Sequence, residues 1–323
     1  SDFGGAQFEA RVTAFGSFEK PELSGTGRVK VASAGAPAVA RFFDVVRTPL
    51  ALRTGLLASF PADLTLRLGA PTGEGAQSLG VTGTLGPSTF TANAAIEAGF
   101  VRALDGRFKL EFDLGSPQPG QMTAQLGLGT VSLFPDDKPM HLTGIIEGDV
   151  GSSLKATLRA DGGGDSLSFS GDVVVTDPDR ITGRGSLRAT LTDPSTLAAQ
   201  LGADGLSLPP VTATATLAFA GLQSVSLEGI QGTSNGSSFS GQLAFSKAAD
   251  AGQVSGKLSL AETDLDGLVQ TLVGSAALLS TGGLWPDGPF ATGPGPRTTF
   301  GRIDVNVPSI ALGDRAITNA SFG

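Results

Sequence analysis

The chain has 323 residues with 22 basic and 30 acidic side chains, a formal charge of −8, one histidine and no cysteine or tyrosine. That excludes a disulfide framework and a thiolate metal site, and the acidic balance without a basic block argues against a nucleic-acid partner. Apolar residues make up 40 % and charged ones 16 %, so this is no charge-rich disordered chain, and length alone admits one large or two average domains.

In chain order the dominant signal is period-two alternation, the mark of half-buried strands. Phe8, Ala10, Val12 and Ala14 alternate with Glu9, Arg11 and Thr13. Leu64, Leu66 and Leu68 alternate with Thr65 and Arg67, and Phe108, Leu110, Phe112 and Leu114 with Lys109, Glu111 and Asp113. Leu154, Ala156, Leu158 and Ala160 repeat the pattern, as do Phe169, Val173 and Val175, then Leu187 with its neighbours. Leu217 and Phe219, the pair around Leu227, the set Phe239, Leu243 and Phe245, then Leu258 and Leu260, and finally Ile303, Val305 and Val307 complete the series. Successive side chains of a strand point to opposite faces, so each strand has one greasy and one wet face. Alternation, rather than continuous apolar runs, predicts antiparallel sheet wetted on one side.

Helix signals are few. Asp193-Pro194 before Ser195 to Leu201, with Gly202 behind, predicts one short helix with Asp193 as its N-cap. A longer helix is expected from Asp264 to about Ser280. Two helices cannot cover the apolar faces of so many strands. That surface must meet another sheet, close on itself, or bind something apolar. No run approaches the roughly 20 apolar residues of a membrane helix, and one tryptophan without tyrosine cannot furnish the aromatic girdles of a transmembrane barrel. Trp285 is expected to pack in its proline-rich turn. The chain reads as a soluble piece of a longer protein, or a processed product of one.

A repeat is also present. Ser166-Leu167-Ser168-Phe169-Ser170-Gly171 returns as Ser237-Ser238-Phe239-Ser240-Gly241, and Thr182-Gly183-Arg184-Gly185-Ser186-Leu187 as Val254-Ser255-Gly256-Lys257-Leu258. Gly27, Gly106, Gly185 and Gly256 recur at roughly 70–80 residues, a spacing of several strands per unit. The organisation predicted is residues 1–160 as degenerate units, 161–283 as two clearer units ending in short helices, and 284–323 as a Pro/Gly-rich break with the last strands.

Catalytic and metal-binding patterns are weak. Asp161-Gly162-Gly163-Gly164-Asp165 reads as a hairpin tip rather than a calcium turn, which would need stacked copies. Gly25-x-Gly27 and Gly183-x-Gly185 precede strands, whereas a phosphate loop precedes a helix. His141 has no triad partner and is expected to be structural, and Glu111 and Asp113 fall on the wet face of their strand. No catalysis and no cofactor is expected.

From about residue 160 onward the chain resembles the AsmA family. The resemblance is carried by the short helix at Asp193, Leu208-Pro209-Pro210, Leu227-Glu228-Gly229-Ile230-Gln231-Gly232, Phe239-Ser240-Gly241-Gln242-Leu243 and Gly256-Lys257-Leu258-Ser259-Leu260. Thr263-Asp264-Leu265-Asp266, Leu284-Trp285-Pro286-Asp287 and Gly301-Arg302-Ile303-Asp304-Val305 continue it. It implies a long, curved, twisted β-sheet forming a hydrophobic groove in the periplasm of a Gram-negative bacterium, tethered to the inner membrane through parts outside this chain. It further implies a role in carrying phospholipid between the inner and outer membranes, supporting outer-membrane homeostasis, with envelope proteins as possible partners. The expected lipid-contacting positions are Phe169, Val173, Val175, Leu187, Leu217 and Phe219, together with Leu227, Phe239, Leu243, Phe245, Leu258 and Leu260. The alternative is a structural or interaction protein, a surface or secreted β-solenoid or sandwich whose core is filled by the same side chains. Open edge strands at either end of such a sheet would need covering by a partner or by neighbouring chain.

Overall fold

The computed structural model describes residues 2–3, 6–17, 20–33, 59–72, 76–99, 106–126, 134, 138–149, 152–177, 180–195, 209–221, 223–248, 251–261, 263–264, 299–312 and 315–322. Strands dominate them, with one α-helix, so the class is all-β as the alternation predicts. The chain divides into two compact units, residues 1–163 with 168–183, and residues 164–167 with 184–323.

The first unit is a sheet of sequence-adjacent strands. These are β1 (Asp2–Phe3), β2 (Ala6–Ser17), β3 (Lys20–Val31), β4 (Ala62–Leu68), β5 (Gln77–Leu85), β6 (Ser88–Ile96), β7 (Arg107–Ser116), β8 (Met140–Asp149) and β9 (Ser153–Gly162). Each pairs antiparallel with the next. β10 (Asp165–Asp177) pairs with β9 across a turn in which Gly163 and Gly164 have φ of 63° and 98°. Positive φ at both central residues is the geometry that suits the twist of a two-residue hairpin. The predicted hairpin tip at Asp161–Asp165 is therefore present.

Helix α1 (Pro119–Gln125) was not foreseen. Proline at its first turn fits φ without sacrificing a bonded amide, but no side chain caps its N-terminus, so the usual start signal is missing. It buries Pro119, Met122 and Thr123, and Gln125 Nε2 donates to the carbonyl of Leu85 at 2.6 Å.

The second unit contains β11 (Arg180–Leu191), whose residues from Arg184 belong here, then β12 (Val211–Ala220), β13 (Ser224–Ser234), β14 (Ser237–Ala248) and β15 (Ala251–Leu260). β12 to β15 form an antiparallel meander. The β13–β14 turn is Asn235-Gly236, again with positive φ at both positions, 48° and 82°. Next come β16 (Thr263–Asp264), β17 (Thr299–Leu312) and β18 (Arg315–Phe322). β17 runs parallel to β15 and β16 and antiparallel to β18. Parallel neighbours need a crossover of a dozen or more residues, which the chain after Leu260 supplies, so the sheet is mixed here.

Of the expected helices, the first is visible only at its start, where Asp193 Oδ1 accepts the Ser195 N–H at 3.0 Å, as an N-cap should. Asp264 lies in β16; the rest of the second helix, Trp285 and the 284–296 break lie outside the described residues.

Candidate functional site: a two-faced apolar sheet

The strand registers convert the one-dimensional alternation into a surface. In the first unit Val29, Leu64, Gly83, Phe90, Leu114, Leu142 and Ala160 stand opposite one another in successive strands from β3 to β9. A second row is Gly27, Leu66, Val81, Ala92, Phe112, Gly144 and Leu158, and a third is Gly25, Leu68, Leu79, Ala94, Leu110, Ile146 and Ala156. No charged or hydrogen-bonding side chain interrupts these rows. With strands about 4.8 Å apart, they make an apolar strip about 30 Å long. The intervening rows are polar, for example Arg28, Thr65, Thr82, Thr91, Asp113, Thr143 and Arg159.

The apolar rows are mostly half-buried. Leu64, Leu66, Leu68, Phe90, Leu110, Phe112, Leu142, Ile146 and Leu158 all retain solvent contact. A second layer would bury such side chains fully, as in a sandwich core. Within each unit the paired strands belong to one ladder, and among the described residues their apolar face is an open one. Within the rows Leu114 and the small Ala92, Ala156 and Ala160 are buried, and further full burial gathers in small clusters. At one end of the sheet Met122 and Phe134 are 0 % exposed and Met140 1 %. Ala6, Val31 and Ala62 form another cluster, and Val307 and Ile310 a third, against Leu260, Val305 and Ala320.

The second unit repeats the arrangement. Phe219, Val225, Phe245 and Val254 form one row across β12 to β15, and Leu217, Leu227 and Leu243 the next. Leu258 lies opposite Gly241 and Val305, and Phe239 opposite Gly232 and Leu260. Of the twelve positions expected to contact lipid, Phe169 is buried at 7 % exposure. The others, Val173, Val175, Leu187, Leu217, Phe219, Leu227, Phe239, Leu243, Phe245, Leu258 and Leu260, are half-buried. The nine in the second unit are Leu187 and those from Leu217 onward. Not foreseen as lining residues were Phe90, Leu110, Phe112 and their row-mates in the first unit, although their alternation is just as clear in the sequence.

Glycines shape this face. Gly232, Gly241, Gly256 and Gly301 sit on four neighbouring strands, each stepped two residues along from the last, and trace a diagonal across the apolar side. A larger side chain leans over each of them. A Cβ at Gly256 would lie 2.5 Å from Leu243 Cδ2, and one at Gly241 2.8 Å from Leu258 Cδ2. Such contacts require glycine, because so close an approach of the neighbouring strand leaves no room for a side chain.

The wet face is held by exposed ion pairs. Arg28 forms a two-pronged pair with Asp63, at 3.0 and 2.8 Å. The hydrogen bond from Arg28, opposed by desolvation, holds the Asp63 carboxyl below its usual range, and the same bond raises Arg28. Lys109 is raised by its hydrogen bond to Glu111, 2.6 Å away, and Arg302 by Asp304 at 2.8 Å. His141 Nδ1 lies 3.6 Å from Asp113 Oδ1, both exposed, as expected of a surface strand position. Asp161 is engaged by Arg159 at 2.6 and 2.7 Å, and Asp165 accepts both the backbone N–H and the hydroxyl of Thr192. Among the described residues no three His, Asp or Glu side chains converge as a metal site. An open basin of about 430 Å³ on the wet side of the second unit mixes Glu228 and Asp304 with Lys257 and Arg302. Glu228 is paired with Arg184 and Asp304 with Arg302, so the basin has no charge of one sign to offer.

The chain is therefore an open β-sheet protein with an apolar and a polar face. Comparison with family models, with curated proteins and with solved structures found no match.

Proposed function

We propose that this chain is a non-enzymatic lipid-binding and transfer module, whose apolar face holds phospholipid acyl chains and lets them move along it. The observation that carries the reading is the set of unbroken apolar rows that remain half-exposed. Burying hydrocarbon there gains about 0.8 kcal/mol per CH₂, and a surface of Leu, Val, Ile and Phe without hydrogen-bonding groups gives no fixed stopping point. Cargo of varied length is therefore tolerated. The resemblance of residues 160 onward to the AsmA family supplies the setting: a periplasmic module, tethered to the inner membrane through other parts of the protein, passing phospholipid toward the outer membrane. Half-exposure also weighs against the alternative of a self-filled core.

The test is purification without detergent, organic extraction and mass spectrometry of the extract. Phospholipid stoichiometric with protein is expected, falling to background when Phe112 or Phe245 is replaced by Asp while circular dichroism stays that of strand. A lipid-free wild-type preparation that also fails to take up fluorescent phospholipid from vesicles overturns the proposal.

A further inference from the structure

The tip of the β13–β14 hairpin carries a reactive pair. Its two turn residues, Asn235 and Gly236, are both exposed, with φ of 48° and 82°. The ladder closes on Ser234 opposite Ser237. The two central residues of such a hairpin lie outside the ladder, so no strand holds the Gly236 N–H. Among the described residues no hydrogen bond or ion pair engages the Asn235 side chain. A Cβ built at Gly236 would meet nothing within 4 Å, so the turn has room to rotate.

Those features suit one reaction. The Gly236 nitrogen and Asn235 Cγ are placed along the chain so that a bond between them closes a five-membered ring. Once that nitrogen gives up its proton it can attack Cγ. An N–Cγ bond forms, the bond from Cγ to the side-chain nitrogen breaks, and ammonia leaves with the proton, giving a cyclic imide. Water then opens the ring at either carbonyl. Opening at Cγ leaves aspartate. Opening at the main-chain carbonyl carbon leaves isoaspartate, in which the backbone runs through the side chain. Nothing is oxidised or reduced. Glycine matters here because it has no Cβ to obstruct the closing ring and its backbone turns freely.

We propose that Asn235 is a modification site at which the native chain converts itself, with water as the only co-reactant, to aspartate and isoaspartate, and that the isoaspartyl form loosens the β13–β14 hairpin. Aspartate tolerates positive φ much as asparagine does, so that product keeps the turn. Isoaspartate adds a methylene to a connection whose two-residue length matches the twist of its strands. The Ser234–Ser237 and Thr233–Ser238 pairs are lost first, and Gly232–Phe239, on the apolar face, is next in line. The chain's other asparagines are internal controls. Asn93, Asn306 and Asn319 precede Ala94, Val307 and Ala320, so a Cβ stands in the way at each. Asn319 is the sharpest of them, because it too is exposed and has a positive φ, 57°. The proposal does not depend on lipid binding.

Incubation of the full chain in native buffer at mildly alkaline pH, followed over time by peptide mapping with mass spectrometry, tests it. The peptide containing Asn235 should gain the mass difference between amide and acid, faster as pH rises because the attacking nitrogen must lose its proton. Asn93, Asn306 and Asn319 should stay amides over the same period. Part of the isolated converted peptide should accept a methyl group from a purified isoaspartyl methyltransferase. Gly236→Ala should suppress the conversion. In the aged wild type the amides of Ser234 and Ser237 should exchange hydrogen faster than in fresh protein, whereas Asn235→Asp, which reproduces the other product, should leave them slow. An Asn235 that stays an amide, other asparagines that keep pace with it, a Gly236→Ala chain that converts as fast as wild type, or an aged chain whose hairpin exchanges no faster than before each overturns the proposal.

Discussion

Two regions of the first unit, built from the same kinds of side chain, end in different states. Where α1 and Phe134 pack near the ends of β7, β8 and β9, the apolar residues are dry: Met122, Phe134 and Met140 have essentially no exposed surface. A few residues away on the same strands, Phe112, Leu110 and Ile146 remain half-exposed. Among the described residues, a helix covers part of the sheet and the rest of the apolar face has none. Burial marks where the side chains hold the fold together, and half-exposure marks where water still reaches them.

That contrast can be broken or sharpened by mutation. The largest effect belongs to the dry end. Phe134→Ala removes a fully enclosed ring, and the unfolding free energy read from urea denaturation should fall by about 3–5 kcal/mol with no specific change in lipid uptake per folded molecule. Next is the open face of the second unit. Leu243→Asp places a charge among Leu217, Leu227 and Leu258, yet the site retains water contact, so the cost should be only about 1–2 kcal/mol, while phospholipid recovered on extraction drops to background. If that variant instead unfolds, the face is structural and the comparison fails. Smallest is Asp63→Asn on the wet side. The Asp63 pKa is depressed by Arg28, so its stabilisation is present above the ordinary carboxylate value, about 3.9, and is lost as pH falls through the lowered one. Wild type and variant should differ slightly at neutral pH and melt together in strong acid, as thermal scans across pH would register. Because both partners are exposed to solvent the difference should be small.

Much of this was legible in the sequence because strand alternation is local. The wet-face placement of Glu111 and Asp113, the hairpin at Asp161–Asp165 and the capping role of Asp193 all follow from neighbours within a few residues. What escaped was either non-local or too short. The apolar rows depend on register, and Phe90 meets Leu114 through pairing that no periodicity announces. The parallel return of β17 beside β15 is likewise a matter of topology. Helix α1 spans seven residues, Pro119–Gln125, too few for a 3.6-residue period to stand out, and it begins without a capping side chain. The apolar rows of the first unit carry none of the motifs quoted from residue 160 onward, although their alternation is as plain.

The glycine diagonal through Gly232, Gly241, Gly256 and Gly301 has a mechanical meaning. A Cβ built at Gly241, Gly256 or Gly301 would strike the carbonyl oxygen of Lys257, Gln242 or Val254 as well as a side chain of the same strand. A substitution on this diagonal therefore acts on the backbone ladder itself and not only on side-chain packing. Alanine at Gly241 should cost stability out of proportion to the single methyl it adds, because a carbonyl oxygen of the adjoining strand cannot turn aside as a side chain can.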